Sequence, residues 1–164
     1  MPKSLAPILL KDHPIFKKKT VPVKKMTPEI NELIDDMIFT MRNIGAAGLA
    51  ANQVGSLRRI ILVGVGPTYE PVVFINPKVV GFSKEQILMG EGCFSIPGVH
   101  FNFPRPLMVV GAGLDRNMKK FLLTFYMFSA RAFLHELDHL DNIFFDQRWE
   151  EYLSGVSVRN PISK

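Results

Sequence analysis

The stretch Ser129-Ala130-Arg131-Ala132-Phe133-Leu134-His135-Glu136-Leu137-Asp138-His139-Leu140 decides how this chain is read. It contains His-Glu-x-x-His in a run that reads as a helix. Residues four apart share one helical face, so the imidazoles of His135 and His139 can converge on one metal ion. Glu136 is offset around the axis, where it can reach a metal-bound water instead of the metal. Ala130, Phe133, Leu134, Leu137 and Leu140 make the helix apolar over most of its circumference, the pattern of a buried helix. Two imidazoles and a carboxylate inside such a helix are costly unless something pairs with them. A bound metal is the simplest partner.

Two histidines leave a catalytic site incomplete, because such a site wants three protein ligands and one open position. The single thiol, Cys93, lies in Gly90-Glu91-Gly92-Cys93-Phe94-Ser95-Ile96-Pro97, after a predicted strand and next to glycine. A free cysteine is more often just a small buried hydrophobe, so the thiol alone leaves the third ligand open. A zinc peptidase would take that ligand downstream, where Glu150 and Glu151 are the only Glu or His residues.

Working back along the chain, Thr27-Pro28-Glu29 reads as a helix start: a hydroxyl N-cap, Pro at the first position and an acid in the first turn. Ile30, Leu33, Ile34, Met37, Ile38 and Met41 follow at spacings of three and four, with Glu32, Asp35, Asp36 and Arg42 on the other face. This amphipathic helix is expected to cover a sheet. It runs into Gly45-Ala46-Ala47-Gly48-Leu49-Ala50-Ala51-Asn52-Gln53, whose small residues allow close backbone approach. Gln53 carries an amide able to donate to a developing oxyanion.

Strand-like runs then follow at 60–65, 72–75, 78–82, 86–89, 107–110 and 121–126, separated by Gly and Pro, with a hairpin turn at Asp115-Arg116-Asn117. The pattern predicts an α+β domain: mostly antiparallel sheets around a buried central helix carrying the His-Glu-x-x-His motif, with the N-terminal amphipathic helix packed on the sheet. One domain spans 1–164, with an extended arm at 1–13 and a tail at 154–164 both expected to be flexible. Fraying is expected to begin at Trp149.

Composition fits this picture. A chain of 164 residues, 47% hydrophobic and 21% charged, is ordinary globular composition rather than a disordered one. A lone cysteine rules out an internal disulfide, and no uncharged apolar run approaches bilayer length, so a cytoplasmic setting is the expectation. The net charge of +5 is concentrated at the start, where residues 1–25 hold seven lysines against Asp12. Lys17-Lys18-Lys19 reads as a solvated charged loop, with a ribosome as the alternative contact. Few aromatics interleave with these lysines, which argues against a dedicated nucleic-acid site.

Three separated stretches, Gly48-Leu49-Ala50-Ala51-Asn52-Gln53, Glu91-Gly92-Cys93-Phe94-Ser95 and His135-Glu136-Leu137-Asp138-His139, resemble the three signature motifs of peptide deformylase in their usual order. The resemblance implies that Cys93, His135 and His139 bind one divalent metal ion, with water in the fourth position. Ferrous iron is the physiological metal it implies, with zinc or nickel in some members. Glu136 would be the general base and then acid. Gln53 and the backbone N–H of Phe94 would hold the oxyanion. The implied reaction is removal of formate from the N-formyl-methionine of nascent bacterial and organellar proteins, here in a bacterial cytoplasm with an organellar origin left open, by a monomer or weak dimer without membrane attachment. Glu91 and Arg105 match charged positions and are expected to brace the Cys93 loop. Ala47, Gly48, Met89, Gly92, Phe128, Arg131 and Ala132, with Glu91, fall where the family binds its substrate.

Several positions depart from the family pattern. Ala46 stands where the first glycine of Gly-x-Gly-x-Ala-Ala-x-Gln is expected, which strains the entrance if that glycine needs positive φ. Leu134 replaces a usual Gln, Met127 a common Gly, His100 a common Arg, and the Asn117-Met118 turn lacks its glycine. None removes a ligand, the base or the oxyanion donor. A catalytically silent relative that binds formylated peptides is the rival these departures keep open.

Overall fold

A computed structural model describes residues 4–155, and its central element is the helix predicted from the opening stretch. That helix, α2 (Met127–Leu140), is buried at every position from Ala130 to Leu140. Ahead of it come α1 (Pro28–Ile44), β1 (Gly48–Ala50), β2 (Ile60–Val65), β3 (Glu70–Phe82), β4 (Gln86–Cys93), β5 (Ile96–Pro106), β6 (Met108–Leu114) and β7 (Lys120–Tyr126); α3 (Phe145–Leu153) follows. The strands form a five-stranded sheet in the order β1-β2-β3-β6-β7 and a separate β4-β5 hairpin, with antiparallel pairing throughout. The α+β expectation holds.

Helix α1 starts as its sequence requires. Thr27 is extended and its hydroxyl accepts the N–H of Ile30 at 3.3 Å, Pro28 fills the first turn, and Gly45 closes the helix in the left-handed region at φ 66°. Its apolar stripe (Ile30, Ile34, Met37, Met41) packs on Leu49, Ile60, Leu62 and Ile75. The opposite face of the sheet, through Ile61, Val63, Phe74, Val109 and Phe125, packs on Ala130, Phe133, Leu134 and Leu137 of α2. Strand β2 is therefore covered on both faces, which is why Ile60-Ile61-Leu62-Val63 reads as a continuous apolar run. The approach of α2 is close. A Cβ on Gly111 of β6 would lie 2.6 Å from the Phe133 ring.

Some expectations change. The runs at 72–75 and 78–82 are one strand, β3, with one irregularity at Asn76 in the left-handed region at φ 52° and a second between Val79 and Gly81. Strand β5 was hidden by Pro97, Gly98, Pro104 and Pro106, which a two-stranded hairpin tolerates because both strands are edges. The chain does not fray from Trp149: α3 continues to Leu153, with Trp149 stacked on Phe101 at 4.0 Å. Nor are residues 4–13 of the arm loose. Ala6 N–H binds the Thr40 hydroxyl, Leu9 N–H the carbonyl of Gln53 and Lys11 N–H the carbonyl of Ser95. The flexible-arm expectation at 1–3 and the tail expectation at 156–164 lie outside the described residues.

Candidate active site

The site forms where α2 crosses the end of β4. A register shift between Gly92 and Cys93 breaks the β4-β5 ladder, a bulge of the kind that re-aims a side chain. Cys93 Sγ lies 3.2 Å from His139 Nε2, and His139 Nε2 lies 3.0 Å from His135 Nε2. One ligand atom from each of the three residues falls within 4.8 Å of the others. Two imidazole nitrogens and a thiol packed this closely in the interior have the donor chemistry and spacing of a mononuclear Cys-His-His metal site. The fit is good.

Each donor is held from behind. Glu91 Oε1 sits 2.6 Å from His135 Nδ1, which leaves Nε2 facing the cluster. Glu91 is itself gripped by Arg105, through Nε at 2.9 Å and Nη2 at 2.6 Å, and by Arg131 Nη1 at 2.9 Å. Burial pushes the Glu91 carboxyl up, but the Arg105 charge and the His135 contact outweigh it and hold it well below the usual carboxylate range. His139 is fixed through its backbone, its carbonyl accepting from Asn52 Nδ2 at 2.5 Å, while its own Nδ1 has no partner. Burial and the neighbouring His135 push its pKa well down, which favours the neutral form that a ligand needs.

Glu136 faces the cavity beside the cluster, with Oε2 unpartnered. Burial raises its pKa to about 7; the nearby His135 charge opposes that rise and Glu91 adds to it. A carboxyl titrating near neutrality can take and return a proton at physiological pH. Gly48 lies against it, and a Cβ there would meet Glu136 Cγ and Oε1 at 2.7 Å. Gln53 Oε1 accepts from Ala50 N–H at 3.0 Å, which aims Nε2 at Cys93 Sγ (3.5 Å) and Ser95 Oγ (3.1 Å).

Of the residues singled out in the sequence, Cys93, His135, Glu136, Gln53 and Phe94 line one cavity together with Ala47, Gly48, Glu91 and Gly92. Phe128, Arg131 and Ala132 line it as well. Arg131 enters by its stem, since its guanidinium turns into the β4-β5 hairpin to reach Glu91 and the carbonyls of Ile87 and Phe103. Met89 is half-buried on the same face of β4 as Glu91 but is not among the lining residues, and Arg105 stands behind the cavity. Ala46 lines the mouth without positive φ, so the strain expected there is absent. Leu134 packs in the core against the sheet. Met127 and Met118, where glycine is common, sit at φ 50° and 60°. The alternative third ligands are elsewhere: Glu151 pairs with Arg148 and Glu150 is exposed.

Sequence reasoning missed Ser95, Asn52, Asp138 and Arg148. Asp138 had a signal, a carboxylate among leucines on a buried helix. Its partner Arg148 had none.

The fold and this site define a metal-dependent hydrolase, with a Cys-His-His donor set and a carboxylate on the same helix as two of the ligands. The chain belongs to the polypeptide deformylase family, whose model matches residues 5–152. Peptide deformylase of Lachnoclostridium phytofermentans is 41% identical over 135 residues, covering 82% of each chain. Peptide deformylase 2 of Clostridium acetobutylicum is 37% identical, over 92% of this chain and 99% of its own. The Met-Ala-Ser-bound crystal structure of class I type b peptide deformylase from Acinetobacter baumannii superposes with a TM-score of 0.82 at 31% identity, over 90% of this chain and 99% of that one. Members of the family are hydrolases that use a single metal ion.

Proposed function

We propose that this chain, as one catalytic domain, removes the formyl group from the N-terminal formyl-methionine of newly made polypeptides, releasing formate. The observation that carries the reading is the convergence of Cys93 Sγ, His135 Nε2 and His139 Nε2 beside the unpaired carboxylate of Glu136. Cys93, His135 and His139 would hold a divalent ion, which when bound would supply a Lewis acid able to polarise the formyl carbonyl and acidify a water. Glu136 takes a proton from the water whose oxygen bonds to the formyl carbon, and returns it to the amine that leaves as the C–N bond breaks. Gln53 Nε2 turns from Cys93 and Ser95 toward the oxygen that becomes negative, joined by the backbone N–H of Phe94. Ala47, Phe128, Ala132 and the stem of Arg131 receive the methionine side chain, which is flexible and apolar enough to fill an irregular pocket.

The deciding assay measures formate released from formyl-Met-Ala-Ser by the metal-loaded chain, anaerobically with iron and separately with nickel. Turnover no greater than that of Glu136→Ala would leave only a peptide-binding relative. Iron is the metal of this reading. The iron-loaded chain is expected to lose activity in air with its circular dichroism unchanged, through oxidation of the metal and Cys93, while the nickel form persists.

The substrate is made at ribosomes, and the exposed Lys17, Lys18 and Lys19 form a basic surface suited to a brief contact there. Co-sedimentation with ribosomes should fall when all three are neutralised, and unchanged co-sedimentation would dismiss the contact. Action in the cytoplasm, as a monomer or weak dimer, is part of this reading. Among the described residues no helix is long and apolar enough to cross a membrane.

A further inference from the structure

Behind the metal centre runs a buried chain of alternating charges that the reaction does not itself use. It starts at His135 Nδ1, 2.6 Å from Glu91 Oε1, and passes to Arg105, whose Nη1 lies 2.9 Å from Asp138 Oδ2. Asp138 is clamped a second time by Arg148 of α3, through Nη2 to Oδ1 at 2.5 Å and Nε to Oδ2 at 3.1 Å. Arg148 Nη1 reaches Glu151 Oε2 at 3.1 Å, where the chain meets solvent. With Arg131 on Glu91, the carboxylates of Glu91, Asp138 and Glu151 balance the guanidiniums of Arg105, Arg131 and Arg148.

We propose that Arg148 is a positioning residue for the metal centre: through Asp138 and Arg105 it fixes Glu91, and through Glu91 the ring of His135, so that docking of α3 sets how tightly the centre holds its ion. The proposal rests on the metal-ligand reading above. Its physical basis is competition for Arg105. One guanidinium serves two buried carboxylates, and it can give Glu91 two hydrogen bonds because Arg148 supplies most of what Asp138 needs. Without Arg148, Oδ1 of Asp138 is a buried, unpaired charge, and such a charge draws in the nearest cation. That cation is Arg105. Its movement loosens Glu91, and a ligand imidazole whose carboxylate is loosened holds metal less well. Helix α3 has a separate anchor in the Phe101–Trp149 stack, so its packing and its charge can be removed independently.

The experiment compares Arg148→Met, Arg148→Lys and Trp149→Leu with the unaltered chain, each loaded with cobalt, recording the thiolate-to-cobalt absorption band, the rate of metal loss to a chelator, and Tm. Arg148→Met is expected to lose metal about tenfold faster or more and to shift the band. Arg148→Lys, which keeps the charge but not the fork, should fall between it and the unaltered chain. Trp149→Leu should lower Tm while leaving band and metal loss near those of the unaltered chain. Arg148→Met and Trp149→Leu losing metal equally, or an unmoved band in Arg148→Met, would overturn the proposal alone. If Arg148→Met does not fold, Arg148→Lys decides: metal loss at the unaltered rate overturns the proposal, and faster loss with a shifted band supports it. An unaltered chain that never binds one equivalent of cobalt would overturn the metal reading itself.

Discussion

Glu136 and Gly48 pack closely, and each constrains what the other can be. A Cβ on residue 48 would lie 2.7 Å from Glu136 Cγ and Oε1, closer than such atoms can approach. Gly48→Ala must therefore displace Glu136, and misplacing a catalytic group by about 1 Å costs on the order of a hundredfold in rate. The expected result is a kcat loss of that size with metal content unchanged, read by formate release and metal analysis. Glu136→Gln removes the proton shuttle altogether and should cost roughly a hundred- to ten-thousandfold in kcat, again with metal retained. The base must be ionised to act, and burial holds its carboxyl near 7. The acidic limb of the kcat/KM profile should lie at about that pH or below, because a bound cation lowers a nearby carboxyl pKa. Activity falls as pH drops through it. A limb that stays in place in Glu136→Gln would assign it to another group.

At the scale of elements, legibility followed how local each cause was. Helix α1 was readable because cap, stripe and stop all lie within one segment, and Thr27→Ala should cost about 1 kcal/mol, measurable as a Tm lower by roughly 2–4 °C. His135, Glu136 and His139 were readable for the same reason, since one turn of helix fixes their relation. Cys93 and Gln53 were readable only as candidates from their own residues; their joining to the helix came through the resemblance of their motifs, because no local period links three distant segments. Arg148 with Asp138, Asn52 with the His139 carbonyl and Lys11 with Ser95 were hidden, being contacts that exist only after the segments have packed. Strand β5 was hidden by prolines that exclude a central strand but not an edge. Met118 and Met127 were visible as departures, yet only their left-handed backbone explains why glycine is common at such places.

At the scale of the molecule, the sheet separates two apolar layers. Helix α1 closes one face, and α2 carries charged and metal-binding groups into the other. That second layer makes stability depend on pH with a definite sign. Glu91 is buried and its folded pKa is depressed by Arg105 and His135 against the cost of burial. A carboxyl depressed in the folded state contributes stability that is fully present above its unfolded pKa, about 4.3, and is lost as pH falls from there toward the folded value. Urea midpoints of the metal-loaded chain should therefore change little through Glu91 between about pH 7 and pH 5, then fall steeply below about pH 4.3. Glu91→Gln leaves Arg105 and Arg131 with an uncharged partner, so its midpoint should start lower at neutral pH. Its descent in acid should also be shallower, because one fewer native carboxylate has to take up a proton. Parallel acid limbs in the two proteins would assign the acid sensitivity to the other carboxylates and remove Glu91 from that role.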